Sequence, residues 1–588
     1  MTQLYVGLVI LALFAGLIAS RQRPATLFVA AAIALYLPGL ISSQKLLHHY
    51  ANESLITLML LLMSSMALER TRALQWISSK LFHKSQFITL LRMLGLVSVT
   101  SAFLNNTAVV AALMQSVRKN REHPAQRLLI PLSYFAILGG MLTLIGTSTN
   151  LVVNSFLVET GHQGFSFFAF LPVGLGALAV AGVTTCIAAY LLPKGRTQHD
   201  ISQDYFLDAK IADDSPLIGK TVQQAGLRAL DGLFLAEIVR TAEHNQSSLI
   251  TPVKPETVLQ ANDRLIFCGD VKQAQQISQL PGVSMFAHEA LSDGEQNGNG
   301  LLHDNLAEVI VSPTSTLVGR TLKQANFRAL FDAAVVAIGR GGERISGKLG
   351  QVEISAGDRL VLATSEDFYR HRNLERNFFL LEGKRLSPTL TGRQEAISLL
   401  GFAAVVTATA LNLVSLFSGL IAYLAVILTT QVISATDIRR RLPLEIWLVI
   451  GSALCIASVF VSSGLSDIVT NGFMWLLGDD VTPMGALMGI FAMTWLITEV
   501  VTNNAAAAIV FPIAIGIAES LGVNIMPFVM AVAFGASASF ISPFGYQTNL
   551  MVMNAGNYRF SDFSRIGVVV LLAYSVTAVL LIPRVFTW

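Results

Sequence analysis

The chain has 588 residues, of which 53% are hydrophobic and only 13% are charged. Its formal net charge of +3 is too small for the basic surface that nucleic-acid binding needs. Apolar stretches long enough to cross a bilayer recur along most of the chain, which excludes an ordinary soluble globular protein. The composition therefore predicts a polytopic α-helical membrane protein that carries one soluble insert.

Apolar runs of bilayer-spanning length predict ten transmembrane helices in two sets of five. The opening run has no basic leader and no small-residue cleavage site, so we expect a retained span and not a signal peptide. Between the third and fourth spans of each set lies a segment of roughly thirty or more residues, which fits a re-entrant helical hairpin. The spans are expected at about 2–20, 25–42, 54–69, 128–155 and 165–193, then at about 397–415, 416–434, 446–463, 525–549 and 566–584, and the hairpins at about 86–117 and 482–520.

A polar signature occurs twice within these apolar segments, once in each half. Asn105-Asn106-Thr107-Ala108 is followed by Gly146–Val152, and Thr502-Asn503-Asn504-Ala505 is followed by Gly545–Val552. The hydrocarbon region tolerates such uncharged oxygens and amides only around a cavity, where they can replace the water shell of an ion. The duplication predicts a secondary transporter whose two related halves meet at one site near the midplane.

Basic residues beside the apolar runs indicate the orientation of the halves, because cytoplasmic loops carry an excess of Lys and Arg. They place both termini outside, the first hairpin open to the cytoplasm and the second open to the exterior. The halves are therefore predicted to be two inverted repeats of five transmembrane helices plus one re-entrant hairpin each, in the inner (plasma) membrane. The residues that carry this assignment include Arg70, Arg72, Lys80, Lys84, Arg118, Lys119 and Arg439–Arg441.

A segment of about 195–390 interrupts the membrane pattern with a high density of charged and turn residues. It contains a repeat, since Ser215–Thr221 and Arg240 recur one hundred positions later as Ser315–Thr321 and Arg340. Short alternating strands with one amphipathic helix predict a small α+β module in tandem, cytosolic because the flanking spans end inside. The predicted domains are 1–194, 195–295, 296–390 and 391–588, with Gly294–Gly300 as a flexible linker between the two modules.

These motifs resemble those of the divalent anion/sodium symporter (DASS) family of the ion transporter superfamily. The hairpin motifs Asn105–Ala108 and Thr502–Ala505 are similar to its duplicated Ser-Asn-Thr motifs, and Gly146–Asn150 and Gly545–Asn549 are similar to its unwound-helix motif. The insert resembles two TrkA-C (RCK C-terminal) domains, found in a prokaryotic and algal branch associated with sulfate and related anions. The resemblance implies a sodium-driven importer of a small dianion, a homodimer in lipid, and a nucleotide or cyclic dinucleotide as the effector of the insert.

The resemblance also implies roles for individual residues, because the family binds its anion between the two hairpin tips and a sodium ion beside each tip. The implied substrate-binding residues are Asn106, Thr107, Thr147, Ser148, Asn503, Asn504 and Thr548. The implied first sodium site comprises Ser101, Asn105, Asn106, Gly146 and Asn150, and the second comprises Thr498, Thr502, Asn503, Gly545 and Asn549.

Departures from the family motifs bear on the identity of the anion. Asn105 stands in place of the first Ser, Asn504 stands in place of the second Thr, and the family's Pro-Pro pair is absent from Gly146–Asn150. These changes weaken a carboxylate assignment more than a sodium assignment, and an Asn amide can donate to an oxyanion. We therefore expect sulfate first and a dicarboxylate second. The rival functions are anion exchange or metalloid-oxyanion efflux, and a cation channel gated by the insert.

The sequence shows no catalytic constellation. The ten His residues form no metal-ligand pattern, so no metal site other than sodium is expected, and no nucleophile–base pair supports an enzyme. Neither module carries a dinucleotide fingerprint. Glu499 is the one acid in a hairpin core, and the first half has Ala102 at the matching position. Glu499 is therefore expected to support backbone groups of its hairpin more than to carry protons.

Overall fold

Helices make up both ends of the chain and strands its middle in the computed structural model of the protein. The chain forms a helical unit of residues 1–194, 387–552 and 559–588, and a second unit of residues 195–386 and 553–558. The predicted linker Gly294–Gly300 lies outside the described residues. The structure describes residues 2–19, 24–120, 122–193, 206–227, 230, 233–241, 247–250, 253–269, 275–285, 306–312, 315–340, 343–345, 349–364, 368, 374–381, 390–442, 444–477 and 481–588.

Among the described residues, ten α-helices form the N-terminal part of the helical unit. They are α1 (Thr2–Ala19), α2 (Pro24–Tyr36), α3 (Ser43–Tyr50), α4 (Glu53–Glu69), α5 (Ala73–Leu81), α6 (Gln86–Ser101), α7 (Asn106–Lys119), α8 (Leu129–Gly140), α9 (Ser148–Glu159) and α10 (Leu171–Ala188). Asn side chains begin two of them, since the first N–H groups of a helix lack partners within it. Asn52 accepts from the backbone N–H of Ser54 (2.9 Å) at α4, and Asn105 accepts from that of Thr107 (2.8 Å) at α7.

This part of the fold differs from the predicted spans in two respects. The span expected at 128–155 is two helices, α8 and α9, because residues 141–147 between them are not helical. The short helices α3 and α5 were not predicted, because 8 and 9 residues are too few for a bilayer-spanning run. The first predicted hairpin corresponds to α6 and α7, joined by a turn at residues 102–105.

The second unit contains two five-stranded antiparallel sheets. The first module comprises β1 (Phe206–Ile211), β2 (Leu233–Thr241), β3 (Ser247–Ile250), β4 (Arg264–Gly269), α11 (Gln275–Ser278) and β5 (Val283–Met285). The second module comprises β6 (Leu306–Val311), α12 (Phe327–Phe331), β7 (Ala333–Arg340), β8 (Glu343–Ile345), β9 (Arg359–Thr364), α13 (Leu374–Asn377) and β10 (Phe378–Leu380). The strand orders are β3-β2-β4-β1-β5 and β8-β7-β9-β6-β10, so the two sheets have the same connectivity.

The two sheets also repeat a buried ion pair. Arg240 Nε and Nη2 donate to the two carboxylate oxygens of Asp263 (both 2.9 Å), and Arg340 makes the same bonds to Asp358 (2.7 and 2.8 Å). Both aspartates are buried, so these bidentate charge-assisted bonds satisfy carboxylates that water cannot reach. The arginines that the sequence repeat singled out therefore hold the turn before the fourth strand of each module.

Glu237 in β2 breaks this symmetry between the modules. Its cross-strand partner is Ile266, whereas the core of the first sheet uses the flanking pairs Leu235–Phe267 and Ile238–Leu265. Glu237 therefore lies on the opposite face of the sheet, where it is only 2% exposed, and β4 of this sheet contacts β7 of the second module. Neither carboxylate oxygen has a hydrogen-bond partner among the described residues. Burial raises the pKa of Glu237 to about 7.

We expect Glu237→Gln to stabilise the first sheet at pH 8 and to change little at pH 5. The raised pKa means that the folded state holds this proton more tightly than the unfolded chain does. Stability is therefore lost as pH rises from the ordinary value of 4.5 towards 7, by up to about 3 kcal/mol. Hydrogen exchange of the β2 and β4 amides in the full-length protein, compared between variant and wild type at each pH, measures this difference. The exposed-side-chain variant Glu256→Gln is the control, and equal protection of Glu237→Gln and wild type at pH 8 would contradict the prediction.

Ten α-helices follow the second unit in the part of the chain that the structure describes, in the same order of long and short elements as α1–α10. They are α14 (Gly392–Ala410), α15 (Leu416–Thr429), α16 (Ala435–Arg441), α17 (Leu444–Ser462), α18 (Leu465–Leu477), α19 (Pro483–Val500), α20 (Asn503–Ser520), α21 (Met526–Ala536), α22 (Gln547–Ala555) and α23 (Phe560–Val585). The span expected at 525–549 is again two helices, α21 and α22, with a non-helical stretch at residues 537–546. The polar signatures thus lie at the same two kinds of place in both sets: a hairpin turn and a helix break.

Six of the described helices are long and apolar enough to cross a membrane. Four of them correspond to predicted spans and two are the arms of the second predicted hairpin, so the number of ten spans stays a prediction. The two arms of the second hairpin, α19 and α20, are each 18 residues and each long enough to cross alone, at about 27 Å. The re-entrant form of that hairpin stays a prediction. The six stretches are Ser43–Glu69, which comprises the consecutive α3 and α4, Leu171–Leu191, Leu444–Ser462, Pro483–Val500, Asn503–Ser520 and Phe560–Val585.

Candidate functional site

The two hairpin motifs lie at the first turns of helices. Asn106 is the first residue of α7, and Asn503 is the first residue of α20. The first backbone N–H groups of a helix point away from it without internal partners, and the helix dipole adds positive potential there. At the first tip Asn105 accepts from the Thr107 N–H, so each tip combines the remaining first-turn N–H donors with amide side chains, which suits an anion.

The two helix breaks are held by an asparagine in the same way. Asn150 donates from its amide nitrogen to the carbonyl oxygens of Thr143 (2.9 Å) and Gly140 (3.5 Å). Asn549 donates in the same manner to Ser539 O (2.8 Å) and Ser542 O (3.4 Å). In both halves the acceptors are the carbonyls ten and seven residues before the Asn. These bonds satisfy backbone carbonyls that the break releases from helical hydrogen bonding.

Asn106 lies at the centre of the first half of the site. Its amide nitrogen donates to Ser101 Oγ (2.5 Å) and lies 3.2 Å from Ala136 O and 3.3 Å from Gly146 O, in the orientation that satisfies every neighbour. Its oxygen then accepts from the Tyr546 hydroxyl (2.6 Å). Asn106 is only 3% exposed, so this network positions a buried amide.

Tyr546 connects the two halves. Its residue number differs from that of Asn106 by 440, and its hydroxyl also lies 3.5 Å from Thr147 Oγ1 in the first helix break. Next to it, Thr107 Oγ1 lies 3.5 Å from Gln547 Oε1, at the N-terminus of α22. The tip of the first hairpin therefore contacts the helix break of the second half.

The second hairpin makes the reciprocal contact. Asn504 Oδ1 accepts from Ser148 Oγ (3.3 Å) and from Thr149 Oγ1 (3.4 Å), at the N-terminus of α9. Because Thr147 directly precedes Ser148, this contact is continuous with the Tyr546–Thr147 contact. The N-termini of α7, α9, α20 and α22 consequently converge on one set of uncharged polar side chains.

Oxygen atoms around the first break are suited to a hard monovalent cation. Ser101, Gly146 and Asn150 supply oxygen atoms there, whereas Asn106 turns its amide nitrogen to them and its oxygen to Tyr546. Ser101 Oγ also donates to Ala136 O (2.9 Å). Asn150 is fully buried, and its Oδ1 has no hydrogen-bond partner within the part of the chain that the structure describes. A buried acceptor without a donor is costly unless a cation or water meets it, so this set fits sodium.

The matching set in the second half is more fully hydrogen-bonded. Thr498 Oγ1 donates to Ala536 O (2.8 Å), but Asn549 Oδ1 already accepts from Ser133 Oγ (2.6 Å). Ser133 Oγ also contacts Thr548 Oγ1 (2.7 Å), so the Thr548 hydroxyl faces α8. Of the residues that the resemblance implied, Thr548 is the one whose hydroxyl bonds away from the hairpin tips, because its position on α22 places it on the buried face beside α8.

Several residues of this site were not predicted from the sequence. Tyr546, Gln547, Thr149 and Ser133 contact predicted residues across more than 350 positions of the chain. Tyr546 and Thr149 lie inside the duplicated motifs, so their position in a motif was a signal that could have identified them. Ser133 lies in an apolar run and carried no such signal.

Glu499 lies against the backbone of the second helix break. Its carboxylate accepts from the N–H groups of Ile541 (3.3 Å) and Ser542 (3.1 Å) and from Trp495 Nε1 (3.3 Å). These bonds satisfy backbone donors that the break leaves without helical partners. Glu499 therefore supports backbone groups as expected, but those of the helix break and not those of its own hairpin.

The chain is similar in sequence to a known transporter family and to several individual proteins. The sequence profile of the citrate transporter family, CitMHS, matches residues 9–533 and 496–588. A Chlamydomonas reinhardtii protein provisionally named a sulfur deprivation response regulator is 31% identical over 92% of this chain and 94% of its own length. An uncharacterized transporter of Synechocystis is 30% identical over 95% of this chain and 93% of its own length. A sodium/sulfate cotransporter of Chlamydomonas reinhardtii is 28% identical over 62% of this chain but only 41% of its own length.

Proposed function

This chain belongs to the citrate transporter family CitMHS, and from that premise we propose that it imports a small divalent anion, sulfate first, coupled to sodium. Similarity to sodium/sulfate cotransporters and the apolar helices support a multi-pass membrane protein that transports anions. The observation that carries the proposal is the convergence of four helix N-termini on uncharged amides and hydroxyls. This arrangement can hold a dianion without a basic side chain.

Anion binding is assigned to the two hairpin tips and the first helix break. Asn106, Thr107 and Thr147 face Tyr546 and Gln547 on one side, and Asn503, Asn504 and Ser148 complete the other side. The Thr548 hydroxyl, which the resemblance also implied, accepts from Ser133 Oγ of α8. Sulfate offers only acceptor oxygens, so it pairs with the amide N–H groups, the hydroxyls and the free backbone N–H groups of this set.

Sodium would offset the charge of the anion. In the first half, the free Asn150 Oδ1 with the oxygens near Ser101 and Gly146 supports a cation site. The proposed set also includes Asn105 and Asn106, whose oxygens accept here from the Thr107 N–H and from Tyr546. In the second half, the proposed set is Thr498, Thr502, Asn503, Gly545 and Asn549. A dianion and its cations together cross a low-dielectric region at less cost than the anion alone, which gives a physical reason for coupling.

The crosswise contacts support alternating access between two inverted repeats. Each hairpin tip contacts the helix break of the opposite half, so a movement of one hairpin displaces the break of the other. Both halves would therefore change together as the site opens to one side and then to the other. We assign the chain to the inner (plasma) membrane with both termini outside, the two modules in the cytosol, and a homodimer as the assembly.

The two modules are proposed to be TrkA-C domains that regulate transport, within the boundaries 195–295 and 296–390. Their identical strand connectivity and repeated Arg–Asp pairs support a tandem of one fold. A nucleotide or cyclic dinucleotide is the proposed effector. Its binding would favour one of the transporter's conformations over the other.

A carboxylate is the second candidate substrate, because the matching family profile is described as a citrate transporter. Carboxylates and sulfate both present acceptor oxygens, but a di- or tricarboxylate is longer and needs donors at two separated points. The site offers donors at both hairpin tips. Competition between sulfate, succinate and citrate for one uptake route therefore distinguishes the candidates.

Uptake of labelled sulfate into proteoliposomes, with sodium, potassium or proton gradients imposed in turn, tests the proposed function. We expect saturable sulfate uptake that requires an inward sodium gradient and is competed weakly by succinate and citrate. Uptake driven equally by potassium or by no gradient would contradict sodium coupling. Flux that occurs only against anion loaded inside the vesicles would establish exchange. Cells that resist a metalloid oxyanion without accumulating it would establish efflux.

A further inference from the structure

Two histidines and one glutamate from distant parts of the chain meet at one end of the helical unit. His48 and His49 lie in the last turn of α3, and Glu159 is the last residue of α9. His49 Nδ1 lies 3.1 Å from Glu159 Oε1, and His48 Nδ1 lies 3.5 Å from the same oxygen. Their ligand atoms all lie within 4.8 Å of one another. The sequence predicted no metal-ligand set other than sodium, because 110 residues separate the histidines from the glutamate.

The glutamate is held so that one oxygen remains for the two imidazoles. Asn52 Nδ2 donates to Glu159 Oε2 (2.9 Å), and the same Asn52 caps α4 with its oxygen. Oε2 is therefore occupied by an amide donor, and Oε1 points to the histidines. A hydrogen bond from a neighbouring group that orients a carboxylate is common around protein metal sites.

His49 is the buried member of this group. It is only 3% exposed, yet neither of its ring nitrogens has a partner in hydrogen-bond geometry among the described residues. A buried imidazole normally has at least one partner, because an unpaired buried polar group is costly. Nδ1 faces Glu159 Oε1 at 3.1 Å but outside hydrogen-bond geometry. A metal ion held between these two atoms would give Nδ1 a partner.

We propose that His48, His49 and Glu159 bind a divalent transition metal ion of the zinc class. Zinc holds nitrogen and oxygen ligands at about 2.0–2.1 Å in a tetrahedron, so two of its ligand atoms lie about 3.3 Å apart. The two imidazole–carboxylate separations, 3.1 and 3.5 Å, bracket that spacing. Two imidazoles and one carboxylate prefer zinc or a neighbouring metal over magnesium or calcium, which prefer oxygen ligands.

The position of the cluster gives the metal a way to act on transport. α9 carries Ser148 at one end, in the proposed anion site, and Glu159 at its other end. α3 is held to α17, since Tyr50 OH lies 2.6 Å from Ser452 Oγ and Trp447 Nε1 donates to Tyr50 O (2.9 Å). A bound metal would tie the end of α9 to α3, and through it to α17. It would therefore slow any conformational change in which α9 moves relative to those helices.

Zinc titration of the purified full-length protein, followed by calorimetry, tests binding directly. We expect one zinc per chain for wild type and at least tenfold weaker binding for His48→Ala, His49→Ala and Glu159→Gln. His48 is exposed, so His48→Ala should keep the fold even if His49→Ala does not. The control is His162→Ala, because exposed His162 is near Glu159 in sequence but contacts Thr160 instead. Absence of saturable zinc binding, or wild-type binding by His48→Ala and Glu159→Gln together, would overturn the proposal.

A second measurement identifies the ligands independently of affinity. Cobalt(II) added in place of zinc should give the visible absorption of a tetrahedral nitrogen–oxygen site in wild type and in His162→Ala. The absorption should be lost in Glu159→Gln. A six-coordinate cobalt spectrum that is identical in all variants would show that the metal binds elsewhere.

The effect on transport rests on the proposed function, whereas metal binding does not. In the sulfate uptake assay, zinc on the side that reaches the cluster should lower wild-type uptake at least tenfold, with recovery after addition of a chelator. His48→Ala should keep its uptake in zinc. If zinc binds as expected but wild-type uptake is unchanged, the coupling to transport is wrong while the site stands. If no uptake is found without zinc, the proposed function fails and the binding result is unaffected.

Discussion

Sulfate uptake should fall to background in Asn106→Ala and in Asn503→Ala, while both proteins stay folded. Asn106 alone links Ser101, the carbonyls near Gly146 and the Tyr546 hydroxyl, so its removal disconnects the two halves of the site. A hydrogen bond to a charged group contributes about 1.5–3 kcal/mol, and the loss of two such bonds reduces uptake at least about 100-fold. Asn503 stands at the equivalent position of the second hairpin and is 8% exposed, so the same loss is expected there.

Controls separate this loss from a general loss of structure. Asn524→Ala removes an exposed asparagine that caps α21 and touches no residue of the site, so uptake should remain near that of wild type. Tyr546→Phe removes only the hydroxyl that joins Asn106 to Thr147, and a smaller reduction than that of Asn106→Ala is expected. Initial uptake rates in proteoliposomes with matched protein content measure all four variants. Wild-type rates in both Asn106→Ala and Asn503→Ala would remove these residues from the site.

Gly146→Ala should also abolish uptake, for a reason of backbone packing and not of chemistry. A Cβ atom on Gly146 would collide with the carbonyl oxygen of Gly140, which approaches it across the helix break. The same carbonyl accepts from Asn150, and Gly146 O lies beside Asn106. The added methyl group therefore moves the break and displaces groups from both the anion site and the first sodium site. Overpacking of this kind typically costs 1–3 kcal/mol, and a shift of about 1 Å at a binding site can cost about 100-fold in activity.

Gly95→Ala is the matched control for this substitution. Gly95 lies in α6 of the same half, and a Cβ atom there would meet nothing within 4 Å. Alanine has a higher helix propensity than glycine, so this variant should be at least as stable as wild type and should transport normally. Uptake, sodium dependence and thermal stability of the two variants are compared. Normal uptake by Gly146→Ala would show that the helix break does not need the close approach of the two backbones.

The class of the protein follows from local patterns in the chain. Apolar runs indicate a membrane protein wherever they occur, because a bilayer imposes its own length on a helix. The repeated motifs of Asn105–Ala108 and Thr502–Ala505 indicate two related halves, and the repeat of Arg240 as Arg340 indicates two modules of one fold. Each of these inferences needs only the order of residues along one segment.

Helix breaks show where such local reasoning fails. The runs at 128–155 and 525–549 are apolar over most of their length, and their hydropathy therefore predicts single spans. Each of them is divided into two helices. The break is stable because Asn150 and Asn549 return to bond carbonyls seven and ten residues earlier. A hydropathy pattern records how apolar a segment is, and it does not record where its backbone hydrogen bonds are made.

By itself the sequence determined that this protein is a membrane transporter with two modules of one fold in its middle, because composition and repeats are properties of the chain. Only the tertiary structure decided that each hairpin tip contacts the break of the opposite half through Tyr546 and Asn504. It alone also brought His48 and His49 to Glu159, and it buried Glu237 opposite the apolar Ile266 of β4. Contacts across 100 to 440 residues depend on how helices and sheets pack, and packing is set by the whole set of side chains and not by any one motif.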